Sequence, residues 1–354
     1  MHFVLTNLSE FFLYFLFRDT YLIIATNDTS AIYHINIYPY IRNSEEPVSP
    51  PHLRNSLVAD SFRIKTVSQR LVLKMFSSKM IQFSFLLWHN SHTKVNTMER
   101  IVIKVGTSTV CHKNGAPDLR RIDALCRVIA DLKNENYEIV LVTSGAIGVG
   151  TNKMGLRKRP KSMAGRQAAA AIGQCELMSI YDRFLLSYGC LSGQILLTKG
   201  ITEDTKGRKN VIATFEALLK RHAIPIVNEN DSVATEEIVY GDNDTLSAVV
   251  AGFVKADLLI ILSDIDGLYD KDPSVDPDAQ LIPLVRDVSK LNITATESKS
   301  EHGTGGMITK LHAAEIAGAN GINTFLASGK NPAILYSIME NSAKGTLFVA
   351  GGKQ

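Results

Sequence analysis

The sequence predicts an α/β fold built on an open, mainly parallel sheet with helices on both faces, and three observations carry that prediction. Short, nearly continuous apolar runs recur from residue 98 onward, the pattern of strands buried on both faces. Longer stretches with apolar residues three and four apart alternate with them, as amphipathic helices do. The unusual polar and glycine-rich segments follow the apolar runs, where ligands collect in such folds, at the carboxyl ends of the strands.

In chain order, Ile101–Val105 predicts the first strand, ended by Gly106. Residues 118–134 place Leu119, Ile122, Leu125, Ile129 and Leu132 at helical spacing, an amphipathic helix. Ile139–Thr143 predicts the next strand, broken by Ser144-Gly145, and Met163–Tyr188 a long alanine-rich helix. Further strands are predicted at Gly193–Leu197, Ile224–Val227, Leu258–Ser263 and Thr324–Ala327. Helices are predicted at Asn210–Arg221, Thr245–Val254 and Met307–Ala319, and Gly345–Phe348 reads as a closing turn.

The chain changes character near Met98. None of its 24 glycines and none of its four cysteines lies in residues 1–97, which hold more than half of the aromatic residues. That leader carries 9 Lys/Arg against 6 Asp/Glu, whereas residues 98–354 carry 29 of each. The sequence pI near 8.5 therefore belongs to the leader, and the neutral body offers no charge argument for nucleic-acid binding. The apolar stretch Phe3–Phe17 is interrupted by Glu10 and closed by Arg18-Asp19, short of the roughly 20 residues a membrane span needs. Residues 1–97 are expected to be a disordered leader or an upstream extension of the reading frame with Met98 as the working start; a targeting arm is the alternative. Residues 98–354 form the predicted folded domain. The cysteines make no CxxC pair, so a reduced cytoplasmic setting is expected without a zinc site or disulfide framework.

Five segments carry candidate chemistry. Lys104 lies inside the apolar run Val102–Val105, two residues before Gly106; a buried lysine needs an anion beside it, while a lysine at a strand edge would reach water instead. Residues 140–150 run from a strand into the glycine-rich turn Ser144-Gly145-Ala146, which suits close approach of backbone amides to an anion. The sequences Asn228-Glu229-Asn230-Asp231 and Asp242-Asn243-Asp244 gather acids and amides behind a buried strand, either as turns or as partners of an ammonium group or a metal–phosphate. One capping residue is expected there, Asp244 or Thr245. Ser263 ends the fifth predicted strand and Asp264 follows it, and the acid-rich run from Asp264 fails the calcium-loop pattern because Leu268 and Tyr269 occupy its fifth and sixth positions. Gly303–Lys310 lacks the glycine a P-loop lysine requires before it, leaving a phosphate cradle or a flexible linker.

Together and in this order, these segments resemble the amino acid kinase superfamily, and most closely its glutamate 5-kinase (gamma-glutamyl kinase) family. VTSGAI, VNENDSVA, GDNDTLSA and GTGGMITK carry the likeness, which extends over residues 98–354. The resemblance implies a three-layer αβα sandwich that transfers the γ-phosphoryl group of ATP to the γ-carboxylate of L-glutamate. The product, γ-glutamyl phosphate, begins proline biosynthesis. By the same resemblance Lys104 and Lys310 meet the transferring phosphoryl group and Asp244 holds both lysines. Ser144, Asp231 and Asn243 contact glutamate. Ser263, Asp264 and the run Thr304, Gly305, Gly306, Met307, Ile308, Thr309 and Lys310 bind the nucleotide together with Lys104. Magnesium is expected to ride on the ATP phosphates, with no metal ligand from the protein. Homo-oligomerisation, feedback inhibition by proline and association with a glutamyl phosphate reductase are further family expectations. No membrane or nucleic-acid partner is expected, and no counterpart of the C-terminal PUA domain of some members is read before Gln354.

Elementary electrostatics fits this chemistry. Two unit charges at 4 Å in an effective dielectric of 20 interact by about 4 kcal/mol, so a carboxylate approaching a polyphosphate needs cations in place. The nucleophile is already ionised at neutral pH and needs no general base; the nine histidines form no HExxH pattern. An acidic pair such as Glu229 and Asp231 would favour an amino acid bearing a free ammonium over N-acetylglutamate. The alternatives are a sibling kinase acting on aspartate, N-acetylglutamate, carbamate or UMP, and a non-catalytic nucleotide- or amino-acid-binding regulator.

Overall fold

A computed structural model describes residues 99–233, 242–273, 275–288, 291 and 306–351, together with the backbone of three strands nearer the N-terminus. The chain divides into two units, Met1–Thr66 and Val67–Gln354, which are described separately. In the first, β1 (Phe11–Phe15), β2 (Tyr21–Thr26) and β3 (Thr29–Asn36) form an antiparallel sheet in that order. The composition of the leader did not announce these strands, and the boundary expected at Met98 falls outside the described residues.

The second unit is built on an eight-stranded sheet. Its strands are β4 (Arg100–Val105), β5 (Glu138–Val142), β6 (Ser192–Leu197), β7 (Ile224–Glu229), β8 (Leu258–Ser263), β11 (Leu284–Val285), β12 (Asn323–Ser328) and β13 (Thr346–Phe348). They lie in the order β11-β13-β12-β8-β4-β5-β7-β6. Every pairing is parallel except that of β12 with β13. A small antiparallel pair, β9 (Leu268–Tyr269) and β10 (Leu281–Ile282), forms a second sheet, tied to β13 through the Thr346 hydroxyl.

Alternation along the strands divides the interior into two cores. Ile101, Ile103, Ile139, Leu141, Leu258 and Ile260 face one side. There they meet α2 (Leu119–Asn134), α4 (Met163–Ser187) and α9 (Ile334–Met339), through residues such as Ile122, Ile129, Leu177, Tyr181 and Leu335. Val102, Val140, Val142, Leu259 and Ile261 face the other side. That side is covered by α6 (Thr205–Leu219), α7 (Asn243–Val254) and α8 (Met307–Ala319), through Phe215, Leu246, Val250, Ala313 and Ala317. The result is the three-layer αβα sandwich expected. Three short helices, α1 (Thr107–Val110), α3 (Ala146–Lys153) and α5 (Lys199–Glu203), follow the ends of β4, β5 and β6.

Two features of this frame position the site. From β4 the chain builds outward through β5 to β6 and β7, then crosses to the opposite side of β4 to form β8. The carboxyl ends of β4 and β8 therefore flank the topological switch point, where open α/β sheets bind ligands. Lys104 also shares parity with Val102, which puts its side chain on the face covered by α7 and α8.

Several expectations need correction. Gly345–Phe348 is not only a turn, since Thr346–Phe348 joins the sheet as β13. Leu119 does not lie on the buried face of its helix: it is 50 % exposed, whereas Ile122, Leu125, Ile129 and Leu132 are buried. Leu119 is the first residue of the helix, next to its Asp118 cap. The cap of α7 is neither Asp244 nor Thr245 but Asp242, whose carboxylate accepts from the Thr245 amide at 2.8 Å.

Candidate active site

Asp244 sits in the first turn of α7, one residue inside the boundary made by Asn243. With Asp242 serving as cap, the Asp244 side chain turns inward and is 1 % exposed. A buried carboxylate requires cations, and two converge on it. Lys104 Nζ, from the end of β4, lies 2.6 Å from Asp244 Oδ1. Lys310 Nζ, from the first turns of α8, lies 3.2 Å from Oδ2. The Thr309 hydroxyl stands 3.0 Å from the same Oδ2 and 2.9 Å from the carbonyl oxygen of Gly306, so its single proton serves one of the two. Burial by itself would push the Asp244 carboxyl upward; the Lys104 and Lys310 ammonium groups outweigh it and hold the pKa down at about 2. Both lysines are themselves buried, so Lys104 is not a strand-edge residue reaching for water, and Lys310 lies in a helix rather than a linker. These three groups carry a formal charge of +1 at the switch point, an arrangement suited to an anionic ligand.

A second cluster is made of neutral groups. At the end of β5, Gly145 adopts φ +102, and a Cβ there would lie 3.0 Å from Cys111 Sγ. This left-handed turn fits glycine and carries Ser144 away from the strand. Asn243 Nδ2 lies 2.6 Å from the Thr143 carbonyl oxygen, 2.9 Å from Ser144 Oγ and 2.9 Å from Asn228 Oδ1. Its two protons are therefore committed inward, and the group it can offer a ligand is its Oδ1 acceptor. Asn228 is held in turn: its Oδ1 accepts from the Glu229 amide at 2.9 Å, and its Nδ2 donates to Gln174 Oε1 at 2.8 Å. The two clusters meet where Asn243 and Asp244 adjoin.

Asp231 lies two residues beyond the end of β7. Its carboxyl is pushed up by burial, against which the Arg159 guanidinium acts. At the end of β8, Ser263 Oγ donates to Asp264 Oδ1 at 2.9 Å, and Ser263 is buried. The acids that follow are partly structural: Asp266 pairs with Lys344 and accepts from the Tyr269 hydroxyl, and Asp276 pairs with Lys271. Of the glycine-rich segment, Thr304 and Gly305 lie outside the described residues. Gly306, Met307, Ile308, Thr309 and Lys310 open α8, with Ile308 exposed and Lys310 buried. Sequence reasoning passed over Gln174 entirely and assigned Thr309 to the nucleotide alone, without its contact to Asp244. Among the described residues, no group of three or more His, Cys, Asp or Glu forms a metal-ligand cluster, and no helix is long and apolar enough to cross a membrane.

The mainly parallel αβα sandwich thus sets two lysines on one buried aspartate at its switch point. The chain belongs to the amino acid kinase family, whose model matches residues 99–328. It is 48 % identical over 257 residues to a glutamate 5-kinase of Clostridium perfringens (strain 13 / Type A), covering 71 % of this chain and 96 % of that relative. It is 49 % identical over 257 residues to a glutamate 5-kinase of Listeria innocua, covering 71 % of this chain and 93 % of the relative. Among solved structures, the UMP kinase of Ureaplasma parvum superposes with a TM-score of 0.51 at 16 % identity, covering 72 % of this chain and 99 % of that one. The isopentenyl phosphate kinase of T. acidophilum does so at 0.51 and 17 %, covering 71 % and 100 %. These structural likenesses speak to the fold alone.

Proposed function

We propose that this chain catalyses ATP-dependent phosphorylation of the γ-carboxylate of L-glutamate, giving γ-glutamyl phosphate for proline biosynthesis. The observation that carries the reading is the Lys104–Asp244–Lys310 cluster at the switch point, taken with near-half identity to glutamate 5-kinases over almost their whole length. On this reading the glutamate γ-carboxylate attacks the γ-phosphorus of ATP in line, and ADP leaves. Charge on the transferring phosphoryl oxygens is met by the ammonium groups of Lys104 and Lys310, which Asp244 holds in place beforehand. The attacking oxygen is ionised already, so the site needs no proton acceptor for it.

Ser144, Asn243 and Asp231 are assigned to glutamate. The Asn243 Oδ1 acceptor and the Asp231 carboxylate both suit the substrate ammonium group, which N-acetylglutamate lacks. Ser263, Asp264 and residues 304–310 are assigned to the nucleotide. A magnesium ion carried on the ATP phosphates would supply further neutralisation of their charge, held by the phosphates rather than by a cluster of protein carboxylates. Residues 98–354 are assigned as the catalytic body and the cytoplasm as its compartment.

Hydroxamate trapping of the acyl phosphate tests this directly, using the chain 1–354 and a chain beginning at Met98. Both are expected to form hydroxamate from glutamate and ATP, and to turn over aspartate and N-acetylglutamate far more slowly. Preference for either competitor would replace the substrate assignment. Loss of activity in the shorter chain would overturn the boundary.

A further inference from the structure

The neutral half of the site ends on a residue the reaction does not otherwise use. Gln174 lies on α4, is 8 % exposed, and accepts from Asn228 Nδ2 through its Oε1 at 2.8 Å. Its own Nε2 is buried and finds no hydrogen-bond partner among the described residues. An orphaned buried donor is costly and uncommon, so its persistence calls for a reason.

The bond directions supply one. The Glu229 backbone amide can only donate, and it donates to Asn228 Oδ1. That fixes which end of the Asn228 amide is oxygen and leaves its Nδ2 facing Gln174. Gln174 must then present its oxygen, and its NH2 group is left over. At the far end of the chain the Thr143 carbonyl can only accept, which fixes Asn243 as the donor to it and to Asn228. Between these two unambiguous backbone groups, every side-chain amide has one permitted orientation, and Gln174 supplies the acceptor that satisfies Asn228.

The backbone beneath Gln174 is also tied to the Ser144 turn. A Cβ on the adjacent Gly173 would stand 1.8 Å from the carbonyl oxygen of Ala146, and one on Gly150 would stand 1.7 Å from that of Ala169. Helices α3 and α4 are thus in direct backbone contact, and α3 starts one residue after Gly145.

We propose that Gln174 is a positioning residue for the amino-acid substrate, acting through Asn228 to hold Asn243 with its Oδ1 toward the substrate; this rests on the glutamate reading above. Gln174→Met removes the orphaned donor but orphans Asn228 Nδ2, so the number of unsatisfied groups is unchanged. The melting temperature should therefore move by only a few degrees, while KM for glutamate rises about tenfold. Both kcat and KM for ATP should stay within about twofold of the parent. Gln174→Glu retains an acceptor whether its carboxyl is ionised or not, and should restore KM for glutamate to within about threefold of the parent.

Full-chain steady-state kinetics with hydroxamate detection, together with thermal melts, decide the matter. An unchanged KM for glutamate in the methionine variant would overturn the inference. So would a loss confined to kcat and melting temperature, or a glutamate variant as impaired as the methionine one. Should the methionine variant be recovered unfolded, a tenfold higher KM in a glutamate variant that melts like the parent overturns it equally. Absence of hydroxamate from the unsubstituted chain would instead remove the glutamate reading, and this inference with it.

Discussion

The two halves of the site are held by different physics. Lys104, Asp244 and Lys310 are organised by charge: two ammonium groups and one carboxylate, each buried, and each costly without the others. Thr143, Ser144, Asn228, Gln174 and Asn243 are organised by direction, since neutral amides gain from a partner only when donor meets acceptor. Charge tolerates small displacements but not removal of a partner. Direction tolerates removal of one contact among several but not reversal of an amide. The charged half suits a reacting group whose charge distribution changes during transfer, and the directional half suits a substrate that must be distinguished from its relatives.

The largest effect should come from the charged half. Lys104→Ala and Lys310→Ala are each expected to lower kcat by about 100- to 1,000-fold, with a much smaller change in KM for glutamate. Near-normal kcat in both would break the assignment of roles across the comparison.

Asp244→Asn should act on stability as well as turnover, because it leaves two buried ammonium groups facing a neutral amide. Breaking a buried pair by removing one partner costs about 3–5 kcal/mol, so a fall in melting temperature on the order of 10 °C is expected for a chain of this size. The pH dependence follows from the depressed pKa. The carboxyl moves from its ordinary 3.8 to about 2 on folding, so its contribution is fully present above about pH 4 and is lost as pH falls toward 2. That contribution is roughly 2 kcal/mol. Denaturant melts between pH 5 and 2 should therefore show parent and Asp244→Asn converging as the pH drops; parallel curves would contradict the charge reading.

The smallest effect is expected from the directional half. Ser144→Ala removes one of three acceptors around Asn243 Nδ2 and leaves the Thr143 carbonyl and Asn228 Oδ1 in place. KM for glutamate should rise only about two- to tenfold, with kcat nearly unchanged. A loss as deep as that of the lysine variants would mean that the Ser144 hydroxyl takes part in the transfer itself.

The same contrast governs what could be read from the chain. Leu258–Ser263 and Met307–Ala319 were legible to the residue, since each is a long local pattern bounded by clear breaks. That Lys104 needs an anion beside it was legible because a cation inside an apolar strand is a local contradiction, and Asp244 is the anion it meets. Thr346–Phe348 was not legible as a strand, because three residues carry too little pattern and its pairing with β12 is non-local. Leu119 matched the helical period yet stands exposed, since the period says nothing of what covers the first residue of a helix. Gln174 was invisible for a related reason: one polar residue in an alanine-rich helix has no meaning until Asn228, 54 residues away, is placed against it.

The contact between α3 and α4 has a consequence for how this protein tolerates change. Positions 150 and 173 face carbonyl oxygens at separations that exclude even a methyl group. A saturation scan scored on growth without supplied proline should find both columns blank apart from glycine, although neither residue touches the reacting atoms. The turn carrying Ser144 and the helix carrying Gln174 would then drift through sequence space as a single body, their side chains free to vary only around a shared, unsubstitutable seam.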